Sequence, residues 1–353
     1  MIERRGARCG ARRSCWWALA SLVLVTNALA QSESGTDVPL AQIAGPFTFA
    51  VVASATADGD RAAPTLLRAT DDSPARFVVH FEMAAPSPAS CANAALDRRH
   101  DLLDASSKPI VPVIAASEWA DCGKASNDAL ERLGRVGDTL FSGEESLGQS
   151  RMPWFRQSAV PRFHRYRENL RWQAGRVMFA TINLPNNNNN FHIGAGRNGE
   201  FEERVVANRA WLERTFRIAS ERRLAGVVLF IDAAPRFSMP LRAPDTHVRE
   251  RDGYYEWKVA LRDFAAAFKG KVLLVQSRVV APLSRSAEFD HPLRDVAGHT
   301  IENLTRVAAP EASTDLRWLR IDVDPKEPQL FRVSIERVFD DPSGELYGAP
   351  RVK

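Results

Sequence analysis

The chain lacks most of the signatures by which soluble enzymes announce their chemistry. It has no His-Glu-x-x-His, no Cys-x-x-Cys, no phosphate-cradling Gly-x-x-x-x-Gly-Lys and no Gly-x-Ser-x-Gly, which removes the common zinc-hydrolase, thiol-redox, nucleotide-triphosphatase and serine-esterase readings. Gly194-Ala195-Gly196 has no third glycine and does not follow a strand into a helix, so it is not read as a dinucleotide loop. Cysteine is scarce, with four in 353 residues, too few for a disulfide-built mini-domain. Beyond residue 30 no apolar run approaches the ~20 residues that a spanning helix needs. No basic run with interleaved aromatics is present either, which argues against a nucleic-acid partner.

What is present begins with a leader. Arg4, Arg5, Arg8, Arg12 and Arg13 precede an uncharged apolar run from Trp16 to Val25, and Ala28-Leu29-Ala30 has the small-residue form of a cleavage site. This three-part pattern predicts a signal peptide over residues 1–30 and an exported, periplasmic or extracellular protein without a membrane anchor after cleavage. Arg12-Arg13 is compatible with twin-arginine as well as general export. The leader also carries the basic balance of the whole chain. Without its five Arg and one Glu, the remainder has equal numbers of basic and acidic groups. Cys9 and Cys15 leave with it. Cys91 and Cys122 remain, and in an oxidising compartment the pair most simply forms a disulfide, two free thiols being the other state.

Residues 31–45 are small and polar and are read as a loose entry segment. Residues 46–340 then form one domain and 341–353 a tail. Short β-rich apolar runs at Phe47–Ala53, Phe77–Phe81, Ile110–Ile114, Val177–Leu184, Val227–Ile231 and Val272–Val275 predict strands buried on both faces. Trp211, Leu212, Phe216, Ala219 and Leu224 recur at helical spacing, as do Trp257, Leu261, Phe264, Ala265 and Phe268, and both sets read as core-facing stripes. Leu316–Val323 and Leu330–Val338 alternate about a turn at Asp324-Pro325 and predict a closing hairpin. Residues 142–160 and 234–252 read as long surface loops. The fold class expected is α/β: a layered sandwich of mixed β-sheets flanked by helices.

Ligand chemistry in such sheets sits beyond the C-terminal strand ends. The candidate residues there are His80, Glu82, Glu118, Asp232, Asn188 in the run Asn186–Asn190, Gln276 and Arg278. Three carboxylates and one imidazole are thin for a two-metal centre.

Residues 77–83, Phe-Val-Val-His-Phe-Glu-Met, followed by Cys91 and by Ser117-Glu118-Trp119-Ala120-Asp121-Cys122, resemble the secreted bacterial branch of the calcineurin-like metallophosphoesterases. The likeness continues through Asn169–Trp172, Ile182–Pro185 with its asparagines, Trp211-Leu212, Asp232–Phe237, Val272–Val275 and Leu304–Val307. It implies a β-sandwich flanked by helices, with two divalent metals (Mn, Fe or Zn) at the strand tips. The departures fall on the ligands. The family's Gly-Asp motifs correspond to Ala53-Ser54 and Glu82-Met83, its Gly-Asp-Asn to Ala115-Ala116-Ser117, and its late His-Gly-Asp-x-His to residues 276–280, Gln-Ser-Arg-Val-Val. These side chains do not replace hard oxygen and imidazole donors. The expectation is therefore a catalytically dead pseudoenzyme without metals, acting as a binding or structural module for an unknown ligand or protein. Two alternatives stand beside it. One is an active metal-dependent phosphoesterase with a rearranged site drawn from Asp58, Asp60, Glu82, Asp232, His192 and His247. The other is an anion- or glycan-binding protein using Arg278, Arg236 and the asparagines.

Overall fold

The computed structural model describes residues 39–40, 43–54, 62–82, 87–122, 128–193, 198–237, 251–277, 290–310 and 316–338, all within the compact unit Asp37–Lys353. The leader, Asp58, Asp60, His247 and Arg278 lie outside the described residues. Strands β1 (Pro39–Leu40), β2 (Phe47–Ser54), β3 (Ala75–Glu82), β4 (Ile110–Val113), β5 (Phe155–Arg156), β6 (Leu170–Ala174), β7 (Val177–Ile182), β8 (Gly226–Ile231), β9 (Lys271–Gln276), β10 (Leu304–Ala308), β11 (Arg317–Val323) and β12 (Phe331–Arg337) build two sheets. Helices α1 (Ala62–Asp71), α2 (Asn93–Asp104), α3 (Ala129–Leu140), α4 (Gly199–Glu221) and α5 (Tyr255–Ala267) flank them. The small sheet has five strands ordered β12-β11-β2-β3-β4, and the large sheet has seven, ordered β1-β6-β7-β8-β9-β10 with β5 beside β6. Both are mixed: β2, β3 and β4 run parallel with β11 and β12 antiparallel, and β7 to β10 run parallel with β6 antiparallel.

Strand alternation sorts the apolar side chains into two cores. On the large sheet Phe179, Val228, Phe230, Leu273 and Val275 face the small sheet. Their sequence neighbours Met178, Val227, Leu229, Ile231, Val272 and Leu274 face α4 and α5. Both predicted stripes, from Trp211 to Ala219 and from Trp257 to Phe268, meet that second core. Between the sheets Phe49 stacks on Phe77 at 5.2 Å, and Trp172 stacks on Phe179 at 5.4 Å and on Phe230 at 6.0 Å. Such pairs add about 0.5–1.5 kcal/mol each beyond the area they bury.

The predicted strands and the closing hairpin form, with β7 ending at Ile182 rather than at Leu184. The structure adds α1, α2, α3, β1, β5, β6 and β10 to the expected elements. Cys91 and Cys122 form the disulfide, with Cα atoms 5.5 Å apart. It ties the start of α2 to the segment that follows β4. Among the described residues no helix is long and apolar enough to cross a membrane.

Candidate functional site

The parallel strands of both sheets end at the same place, where the Ala116 N–H donates to Asp232 Oδ2 at 3.0 Å. On the small sheet, register sets Val52 beside His80 and Ser54 beside Glu82. Ser54 Oγ lies 3.1 Å from His80 Nε2, and the two residues are 1% and 0% exposed. Among the described residues His80 Nδ1 has no hydrogen-bond partner. Burial, helped by the nearby Arg99 charge and opposed by Glu82, pulls the His80 pKa down to about 4, so the ring is neutral near pH 7. A serine hydroxyl against an imidazole is the arrangement of a nucleophile and its base. Burial makes this imidazole a weaker base than a free histidine.

Glu82 and Glu118 share one cation. Arg99 Nε lies 3.2 Å from Glu82 Oε2, and Arg99 Nη1 pairs with Glu118 Oε2. Arg99 and Glu82 are fully buried and Glu118 nearly so. Burial is the main cause that raises the Glu118 pKa, with Glu82 adding to it and Arg99 and Arg132 opposing it. Arg99 reaches this place because α2 turns Leu96, Arg99 and Leu103 inward on one stripe. Two further ties hold the junction. The Cys91–Cys122 bridge joins the start of α2 to the segment just past Glu118. Arg132 of α3 donates from Nε to the Glu118 carbonyl at 3.0 Å and from Nη1 to Asn93 Oδ1 at 3.1 Å.

The large sheet holds its carboxylate differently. Asp232, just past β8, accepts through Oδ2 from the N–H groups of Ala116 and of Asn186 (3.2 Å). Through Oδ1 it accepts from the Ser277 hydroxyl at 2.9 Å. Gln276, the last residue of β9, is buried and its carbonyl accepts from the Ala309 N–H.

The asparagine run continues from this point. Asn188, Asn189 and Asn190 have φ of 57°, 57° and 53°, a left-handed turn that asparagine tolerates better than other residues with a β-carbon. Their side chains bind the protein itself. Asn188 donates to the Arg251 carbonyl at 3.0 Å and accepts from the Gly253 N–H at 2.9 Å. Asn189 donates to the Gly253 carbonyl and accepts from Arg204, and Asn190 donates to Glu200. Gly253 is required by this approach, since a β-carbon there would lie 2.1 Å from the Asn188 carbonyl oxygen. Although Asn188 is exposed, its amide is engaged at both ends.

Sequence reasoning missed Arg99 and a second buried acid, Glu168. Glu168 accepts from Asn183 Nδ2 at 2.7 Å beside a net of Gln157, Asn169 and Asn208 amides. Burial raises its pKa to about 7 against the pull of its hydrogen bonds and of Arg204. The Leu96–Arg99–Leu103 stripe was the available signal for Arg99. Glu168 has no comparable pattern around it.

His80, Glu82 and Glu118 therefore gather at the small-sheet tips, and Asp232, Gln276 and Asn188 follow from the large-sheet tips. His192 is not gathered with them: it sits exposed on the loop after the asparagines, fastened through its backbone to Asn198. Arg236 is exposed, and its carbonyl accepts from Lys258. Among the described residues no three His, Cys, Asp or Glu side chains converge in a form that could hold a metal ion. The metal pair implied by the resemblance does not fit the described side chains, because the acids of one sheet are bound to a guanidinium and that of the other to N–H and O–H donors.

The fold class these elements define is an α/β protein with two mixed sheets flanked by helices. No protein-family model matches the chain, and no curated protein matches it.

Proposed function

We propose that the chain is an exported protein of calcineurin-like metallophosphoesterase type in which a side-chain cation has replaced the metals, leaving a catalytically silent binding or structural module. One observation carries the reading: the Arg99 guanidinium lies buried between Glu82 and Glu118. The two carboxylates that would coordinate a divalent ion are engaged by that guanidinium, which also repels a cation brought near it. Hydroxide generation on a metal, worth ~9 pKa units of water activation, is then lost. Burial makes His80 a weak base, poorly matched to general-base work near pH 7. The disulfide between Cys91 and Cys122 agrees with an oxidising compartment.

The test is metal content and turnover on the same protein. Purified chain incubated with Mn²⁺, Fe²⁺ or Zn²⁺ and then desalted is expected to retain no stoichiometric ion and to leave p-nitrophenyl phosphate and its diester intact. Two retained ions per chain, with hydrolysis that His80→Ala abolishes, would overturn the reading.

A further inference from the structure

The opposite end of the large sheet carries a cleft that the strand-tip chemistry does not use. It lies between the C-terminal ends of α4 and α5, the starts of β8 and β9, and the turn between β11 and β12, with a volume of about 670 Å³. Lys271, Pro328 and Leu330 also line a second hollow of about 300 Å³ that reaches Leu273 and Phe331. Volumes in this range are those of small-molecule sites. The floor is apolar, made by Leu224, Phe268 and Leu330, all buried. The rim carries the exposed Arg223, Lys269 and Lys271 against one acid, Glu327. None of these three cations has a carboxylate partner among the described residues. Arg223 and Lys269 each follow a helix by two residues, where the helix dipole favours a cation. Lys271 opens a strand and has no such reason to be basic.

The turn that presents the two lysines is tightly set. A β-carbon at Gly270 would lie 2.5 Å from the Ala225 carbonyl oxygen and 2.7 Å from the Phe268 ring. At Gly226 it would lie 2.5 Å from Leu330. The floor and the charged rim are thus fixed relative to each other by backbone packing. A ligand matched to this cleft has an apolar chain for the floor and a negative head for the rim.

We propose that the cleft binds a single-chain amphiphile with an anionic head, specifically a free medium- or long-chain fatty carboxylate. Calorimetric titration of the full chain with octanoate, decanoate and dodecanoate, below their micelle concentrations, tests this. Affinity is expected to rise roughly tenfold for every two methylenes added. Dodecyltrimethylammonium, of opposite charge, is expected to bind at least tenfold more weakly than dodecanoate. Lys271→Glu is expected to weaken dodecanoate at least tenfold. Ala267→Trp, at an exposed position on the rim, is expected to fill the cleft and remove the chain-length dependence, with an unchanged melting temperature showing that each variant folds. Equal binding of the ammonium and carboxylate amphiphiles overturns the proposal. So does binding of acetate as tight as dodecanoate, binding to anionic phospholipid vesicles alone, or dodecanoate affinity unchanged in both variants.

Discussion

The tips of the two sheets hold buried carboxylates by opposite means. On the small sheet, Glu82 and Glu118 are neutralised by a full opposite charge from Arg99. On the large sheet, the described contacts of Asp232 are with two backbone N–H groups and a hydroxyl. The first arrangement concentrates its stability in one side chain, because removing either sign leaves an uncompensated charge in a dry place. The second spreads it over several dipoles, each worth little alone.

The largest effect that can break this contrast is at Arg99. Arg99→Met is expected to cost about 4 kcal/mol in denaturant unfolding, since two buried carboxylates lose their cation. Replacing all three charges together, Glu82→Leu with Arg99→Met and Glu118→Leu, is expected to recover most of that loss. A triple variant no more stable than Arg99→Met would show that the ion pairs themselves supply the stability.

The disulfide comes next. It closes a loop of 31 residues, worth about 3–4 kcal/mol by chain entropy. It also holds the start of α2 against the segment carrying Glu118. Cys91→Ser with Cys122→Ser is expected to lower stability by about that amount. The loss should be smaller in the Arg99→Met background, where the junction is already loosened, and a double-mutant cycle measures that coupling.

Protonation gives a third comparison. The His80 pKa falls from 6.5 to about 4 on folding. Between these values the unfolded chain binds more protons, so this group's contribution to stability is lost as the pH falls from 6.5 to 4. The Glu168 pKa rises from 4.5 to about 7, so in that window the folded chain binds more protons and stability is lost as the pH rises. Each amounts to about 3 kcal/mol, and in the intact chain the two oppose each other over most of one range. Glu118, also raised, acts with Glu168. Glu168→Gln is therefore expected to expose the His80 dependence as a marked loss of stability between pH 6.5 and 4. Unchanged pH curves in the variant would contradict the assignment.

The smallest effect sharpens the original contrast. Glu82→Gln leaves Arg99 half-paired and is expected to cost about 3 kcal/mol. Asp232→Asn keeps an acceptor for the N–H donors and is expected to cost about 1 kcal/mol. Equal costs would remove the distinction between the two tips.

Much of this architecture was legible from residue patterns. The fully apolar strand runs, the stripes on α4 and α5 and the alternating hairpin are statements about burial, and burial is what periodicity records. His80, Glu82, Glu118 and Asp232 were placed at strand ends by the same means. Helix α2 was not legible, because the residue completing its inward stripe between Leu96 and Leu103 is charged. That residue is Arg99, so the feature that hid the helix is the one that organises the site. The asparagine run read as a ligand surface. Its left-handed backbone and inward-bonded amides depend on Arg204, Arg251 and Gly253, partners distant in sequence. Glu168 was invisible for the same reason, since its raised pKa arises from tertiary burial rather than from its neighbours in the chain.

The most direct measurement is a crystal of the full chain soaked in Mn²⁺ and measured at the manganese absorption edge. The account predicts the Arg99 guanidinium between Glu82 and Glu118, with no anomalous peak at either set of strand tips. Paired peaks coordinated by Glu82, Glu118 or Asp232, with Arg99 turned away, would contradict it.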